Sequence, residues 1–249
     1  MTNVNKLIQN HRSIRSFIDK DIPEEMLDSI LFSAQAMPTS HNNQDISVIV
    51  LRDNVKKNII AELSGNQKHI KDAPVFLIFV ADLFKTHLAC KKNNMVQNLE
   101  NHLDTIITAT FDAGIAMGAA IISAESLGLG ITPIGGIRNN IAGVSKILEL
   151  PEYTFPLVGL CLGFPYNIPD KKPRFPLPAF AHEEVYQKEA MEGYINEYDE
   201  IMNNYLIKIQ REQEVNWSYR TSTSVSKPSS SAIESLLKEQ KIIVKSQES

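Results

Sequence analysis

Five consecutive residues, His11-Arg12-Ser13-Ile14-Arg15, concentrate positive charge and hydrogen-bond donors in one short stretch. If the stretch makes a helical turn, Arg12 and Arg15 share a face, with His11 and Ser13 as further donors beside them. That is the equipment of a phosphate cradle. A phosphate group of about −2 charge is best met by charge-assisted donors, and the forked guanidinium of Arg fits its oxygens two at a time. Taken alone, the commoner meaning of such a stretch is an exposed basic loop, because Arg is mostly exposed in folded proteins. A second, independent clue is needed.

Other chemistries are poorly represented. Gly128-Leu129-Gly130 opens like a dinucleotide fingerprint, but Pro133 occupies the sixth position, where glycine is required for helix and strand to pack. There is no Walker A sequence, no His-Glu-x-x-His pair and no nucleophile elbow. His182-Glu183-Glu184 lacks the second histidine that zinc would need and reads as a solvated charge cluster. Cys90 and Cys161 lie 71 residues apart and fit neither a zinc knuckle nor a redox pair. No metal is therefore expected. The net charge of −4 argues against generic nucleic-acid binding, so any anion site must be local.

With 249 residues, 43% hydrophobic and 22% charged, the chain has enough apolar material for a large core and too much for disorder. The start MTNVNKLIQN lacks the pattern of a signal peptide, so a cytoplasmic protein with free thiols is expected. The longest apolar stretch, Ala113 to Ile122, is half of the roughly 20 residues that cross a bilayer, and no membrane span is expected.

The elements that would position the basic stretch follow from periodicity. Val4, Leu7 and Ile8 mark a short helix before it, and Met26, Leu27, Ile30, Leu31 and Ala34 mark another after Pro23. Ile46–Leu51, Val75–Ala81 and Phe155–Phe164 read as buried strands, and Ile131–Ile137 as a strand or extended turn carrying Gly135-Gly136. Val55–Leu63 and Ile141–Leu150 read as helices. Asp104–Leu127 is the longest helix, with Gly114 and Gly118, and Ala116 and Ala120, each four apart; such spacing lets another backbone approach, inside one subunit or across a dimer. Five prolines between 165 and 178 impose an extended excursion, and residues 218–231, with nine Ser or Thr, look like a linker before a weak helix at 233–244. Strands alternating with helices give an α/β or α+β class.

The second clue is the ordered combination of His11-Arg12-Ser13-Ile14-Arg15, Gly65-Asn66-Gln67-Lys68, Ile134-Gly135-Gly136-Ile137-Arg138-Asn139 and Lys172-Pro173-Arg174. It resembles the nitroreductase superfamily, and within it the oxygen-insensitive NADPH nitroreductase and NADPH:FMN flavin reductase branch. Ala124–Gly130, Leu157–Gly163 and Asn216-Trp217-Ser218 correspond as well, so the likeness covers about residues 4 to 220. The resemblance implies an α+β fold with a central mixed sheet flanked by helices, in a domain-swapped homodimer. It implies an FMN-binding domain over residues 1–217, including the Pro-rich excursion, followed by an extension over 218–249.

The implied activity is ping-pong two-electron transfer from NADPH, with NADH a second donor, to nitroaromatics, quinones or free flavins. No acid or base side chain need be assigned, because the flavin carries the hard chemistry. His11, Arg12, Ser13, Lys172 and Arg174 would hold the FMN phosphate and ribityl chain. Arg15 would lie near N1 and O2, where a cation favours the reduced flavin. Gln67 would face the pyrimidine edge, and Pro133, Ile134, Gly135 and Gly136 the N5 and O4 side. Thr39 and Ser40 would reach the FMN of the other subunit, and Lys208 or Arg211 would meet the NADPH 2′-phosphate. Two departures stand out: His41-Asn42-Asn43 replaces a more apolar run, and Pro133 replaces an aromatic and removes one N–H. A reductase that exports reduced FMN and a non-catalytic flavin-binding sensor remain the alternatives.

Overall fold

The apolar runs and amphipathic stretches resolve in chain order into helices and strands. In the computed structural model, whose described residues are 2–98, 103–227 and 232–242, these are α1 (Asn3–Gln9), α2 (Glu24–Gln35), β1 (Ile46–Leu51), α3 (Asn54–Leu63), α4 (Lys68–Asp72), β2 (Val75–Asp82), α5 (Phe84–Lys92) and α6 (Leu103–Ser126). They continue with β3 (Gly130–Ile134), α7 (Ile141–Ile147), β4 (Thr154–Gly163), α8 (Met191–Lys208), α9 (Trp217–Val225) and α10 (Ala232–Glu239). The described residues divide into two units. One holds the chain through Pro169 together with α10, and the other runs from Asp170 through α9.

In the first unit the strands order β1-β2-β4-β3 and pair antiparallel throughout. The parallel part of the expected mixed sheet is confined, among the described residues, to a bridge between Ser13 and Ile131. All eight residues of β2 are buried. The strand's period of two divides them between two cores. Val75, Leu77, Phe79 and Ala81 pack with α2 and α6 on one face, and Phe76, Ile78 and Val80 pack with Ile60, Ile70 and Val144 on the other. Helices on both faces explain why the strands read as continuous apolar runs.

Helix α6 splits its small residues by face. Ala109, Ala113, Ala116, Ala120 and Ala124 are buried in the core. A Cβ built on Gly114 or Gly118 would meet nothing within 4 Å, and Ile107 and Phe111 on the same side are 56% and 68% exposed. Residues 107, 111, 114 and 118 thus form an apolar stripe at helical spacing that the described residues leave uncovered. By length and composition alone α6 is apolar enough to cross a membrane. The reading from Ala113–Ile122 missed this because it counted only the uninterrupted run. Its alanine face, packed on the sheet, is that of a core helix.

In the second unit, the residues read as a linker contain α9. Asn216 caps it by accepting from Tyr219 N at 3.2 Å, and Asp199 of α8 accepts from Ser218 N at 2.9 Å. Phe175 stacks on Tyr198 and meets the edge of Trp217, so aromatic packing anchors part of the Pro-rich segment. Helix α10 returns to the first unit, where Leu236, Leu237 and Ile242 join its core. The expected helix at 233–244 is present to Glu239, and residues beyond 242 lie outside the described residues.

Candidate cofactor site

The basic stretch is extended rather than a helical turn. Ile14 N donates to Ile131 O at 2.8 Å, Ser13 bridges Ile131, and Phe17 bridges Pro165, so residues 13–17 run along the β3 edge toward the end of β4. Pro133 limits this pairing. In a parallel ladder the next donor facing the segment would be residue 133, and proline has no N–H. Approach is close because residue 130 is glycine: a Cβ there would lie 2.6 Å from the Ile14 side chain. The expected shared face for Arg12 and Arg15 is not formed. Arg12 is half-buried, donates to Asn10 O at 2.9 Å, and has its Nε buried with no hydrogen-bond partner among the described residues. Arg15 is exposed. His11 Nδ1 lies 2.6 Å from Glu125 Oε1.

Beyond Ile134 the expected strand gives way to a 3₁₀ turn, Gly135–Asn140. The Ser64–Gln67 turn sits on it. Gln67 Nε2 donates to Ser64 O at 2.9 Å, and a Cβ on Gly136 would lie 2.2 Å from Gln67 Nε2 and 2.6 Å from Ser64 O. Burial pushes the neighbouring His69 imidazole below its ordinary range, and the positive charge of Arg15 pushes the same way against Asp72. His11–Arg15, the Gln67 turn and Pro133–Gly136 are therefore linked along one edge of the first unit.

Thr39 and Ser40 lie apart from this edge in the contacts they make. Ser40 N donates to Asp112 Oδ2 at 2.9 Å and Gln44 N to Thr39 Oγ1 at 3.1 Å. His41, Asn42 and Gln44 take left-handed backbone conformations, with φ of 51°, 58° and 52°. The loop borders a cavity of about 430 Å³ lined also by Phe32, Lys85 and Asp112. A larger cavity, about 690 Å³ and lined by Lys57, Lys68 and Lys71, includes none of the residues expected in the site.

Beside the loop, Asp45 is 3% exposed and its Oδ1 has no hydrogen-bond partner among the described residues. Burial pushes this carboxyl up, and the charge of Asp112 adds to the shift. The folded chain therefore holds the Asp45 proton more tightly than the unfolded chain. This contribution is greatest below the ordinary value of 3.8 and is lost as pH rises through the raised one. Asp45→Asn should match wild type in thermal melts near pH 3 and exceed it near pH 7, by about 2–4 °C for each kcal/mol relieved. A variant no more stable than wild type at pH 7 would contradict the assignment.

In the second unit, Lys172 and Arg174 are exposed on the Pro-rich segment, and Arg174 donates to Lys172 O at 3.0 Å. Lys208 pairs with Asp170 at 2.9 Å and Arg211 with Glu214, so both candidates for the 2′-phosphate already face carboxylates. Sequence reasoning missed Glu125, His69 and Asp112. The first stood within the quoted Ala124–Gly130 segment, and the second one residue past Lys68. Nothing in the spacing of Asp112 announces its bond to Ser40.

The arrangement suits a planar heterocycle bearing a phosphate. The buried Arg12 Nε, without a partner among the described residues, is a charged donor that an acceptor would satisfy, and the Gln67 amide and exposed Pro133 border a backbone edge with no side chain at Gly136. Residues 8–164 match the nitroreductase family model, and residues 172–245 match the model of the nitroreductase family C-terminal domain. An FMN reductase [NAD(P)H] of Bacillus subtilis is 41% identical over 221 residues, which cover 88% of this chain and 89% of the relative. An oxygen-insensitive NADPH nitroreductase of Salmonella typhimurium is 36% identical, covering 81% and 82%. The solved structure of an NADPH:FMN oxidoreductase from Vibrio harveyi, complexed with NAD+, superimposes with a TM-score of 0.88 at 30% identity, covering 97% of this chain and 99% of that one. Two family models in series and relatives this similar over most of its length establish that the chain belongs to the nitroreductase family.

Proposed function

We infer that the chain is an FMN-dependent NAD(P)H oxidoreductase whose acceptors are nitroaromatics, quinones or free flavins, taken in turn with the nicotinamide at one site. The observation that carries this reading is the linked edge formed by His11–Arg15, the Gln67 turn and Pro133–Gly136, supported by the activities named for the relatives. Bound FMN supplies the chemistry by accepting two electrons from the nicotinamide and yielding them to the acceptor.

The chain's own residues bind and orient. His11, Arg12 and Ser13 hold the phosphate, and Arg15 places positive charge beside the pyrimidine end of the ring. Gln67, seated against Gly136, offers both a donor and an acceptor to that edge, and the backbone of Gly135 and Gly136 meets the N5 and O4 side on the strength of the resemblance. Lys172 and Arg174 are further phosphate cations on the strength of the resemblance. Lys208 and Arg211 serve the 2′-phosphate of NADPH by exchanging their present carboxylates for it. Lys meets a phosphate as a point charge without the guanidinium fork, so NADH remains a competent donor.

Two copies of the chain assemble in the cytoplasm, with the uncovered α6 stripe as the contact and Thr39 and Ser40 reaching toward the partner's flavin. The stripe's exposed Phe111 and open glycines support this contact. The deciding experiment is the visible absorption spectrum of the purified protein, recorded without oxygen before and after NADPH is added. A flavin band that bleaches is the expected result. A band that NADPH and NADH both leave unchanged would favour the sensor reading, and no band after reconstitution with FMN would overturn the cofactor.

A further inference from the structure

We propose that Glu125 is a positioning residue for the FMN phosphate, acting through His11; the inference rests on the cofactor reading above. The two side chains meet at 2.6 Å and are only 12% and 27% exposed. They come from different elements, Glu125 from the last turn of α6 and His11 from the segment that runs to the β3 edge. An acidic side chain in the last turn of a long helix faces the negative end of the helix dipole and is disfavoured there. Its placement calls for a compensating partner, and His11 is its ion-pair partner among the described residues.

The chemistry of the contact fixes the imidazole. A carboxylate only accepts, so Nδ1 of His11 carries a hydrogen and donates it to Glu125. The ring plane is thereby set, and Nε2 is the nitrogen left for a second acceptor. A phosphate oxygen at Nε2 would be the second partner of the ring, which then stands between two anions beside the donors of Arg12 and Ser13. The carboxylate at its back orients the ring, as the outer partner of a metal-bound histidine does.

The test titrates full-length, flavin-free wild type, Glu125→Ala and Glu125→Gln with FMN and with riboflavin, which lacks the phosphate, following flavin fluorescence. Nitrogen-15 NMR of the His11 ring is recorded on the same samples. Glu125→Ala is expected to weaken FMN by roughly tenfold or more and to leave riboflavin unchanged. Glu125→Gln, whose amide oxygen still accepts from Nδ1, recovers most of that loss. The NMR spectrum should show hydrogen on Nδ1 in wild type and a shift toward Nε2 in Glu125→Ala. Unchanged FMN binding in Glu125→Ala overturns the inference, as does an equal loss for FMN and riboflavin or a wild-type ring without hydrogen on Nδ1. Wild-type protein that binds no FMN overturns the cofactor reading instead, and the NMR result then still reports on the Glu125 contact.

Discussion

Arg12→Ala should weaken FMN binding on the order of 10²-fold, since truncating one partner of a buried charged hydrogen bond costs about 2–5 kcal/mol and each 1.4 kcal/mol is about tenfold. Arg12 is the cation whose half-buried setting makes it expensive to leave alone. Its Nε has no partner among the described residues, and the bond to Asn10 O occupies a different guanidinium nitrogen. A phosphate arriving at this edge would take up the orphaned donor. Arg12→Lys should restore little of the loss, because an ammonium on a flexible stem cannot reproduce the planar fork. Equilibrium dialysis or fluorescence titration checks both variants, and wild-type affinity in Arg12→Ala would place the phosphate elsewhere.

Gly130→Ala should disturb both stability and the edge proposed to hold the cofactor. The added Cβ would sit 2.6 Å from Ile14 Cγ1 and 2.7 Å from Ile14 Cβ, too near the backbone for a rotamer change to relieve. Either β3 or the His11–Arg15 segment must move. Overpacking of this kind typically costs about 1–3 kcal/mol. Ile14 is buried and its N–H is bonded to Ile131 O, so moving the segment also shifts its flanking neighbours Arg12 and Arg15. We expect a lower urea midpoint in the flavin-free protein and at least roughly tenfold weaker FMN binding, given how steeply misplacement of a binding group is penalised. A variant with lowered stability and undiminished FMN affinity would show that the segment's position does not govern the cofactor.

The strands were legible as continuous apolar runs, and the long helices from the period that burial of one face imposes. Ile46–Leu51 is read from its apolar run with the bounds observed for β1, although only Leu51 of the expected buried strand is buried and the rest are half-buried, and α6 is found within one residue at each end. Where other interactions set the structure, the sequence was opaque. The stretch after Phe84 contains α5, which has no buried residue to create a periodic signal. Ser218–Ser226 resembles a linker in composition, yet Asn216 caps a helix there and Asp199 holds its start. The helical turn conjectured for Arg12 and Arg15 fails because backbone pairing with Ile131 and Pro165 extends the segment.

Part of the candidate edge was legible through its glycines. Glycine marks a close approach, and Gly136 does lie against the Gln67 turn. Glu125 was hidden because its bond to His11 joins residues 114 positions apart. No local pattern reports such a contact.

The complete burial of β2 also sets a difference in tempo within the first unit. Its amides sit between two cores and should exchange hydrogen with solvent mainly when the whole unit opens, whereas the His11–Arg15 segment is held to the sheet margin by isolated bridges at Ser13 and Phe17, the first of which Pro133 cannot extend. Deuterium should therefore enter Ser13 and Ile14 through small local openings, long before it reaches Leu77 or Ile78. A segment that loosens on its own while the sheet stays closed gives a flavin a route in and out that never passes through unfolding.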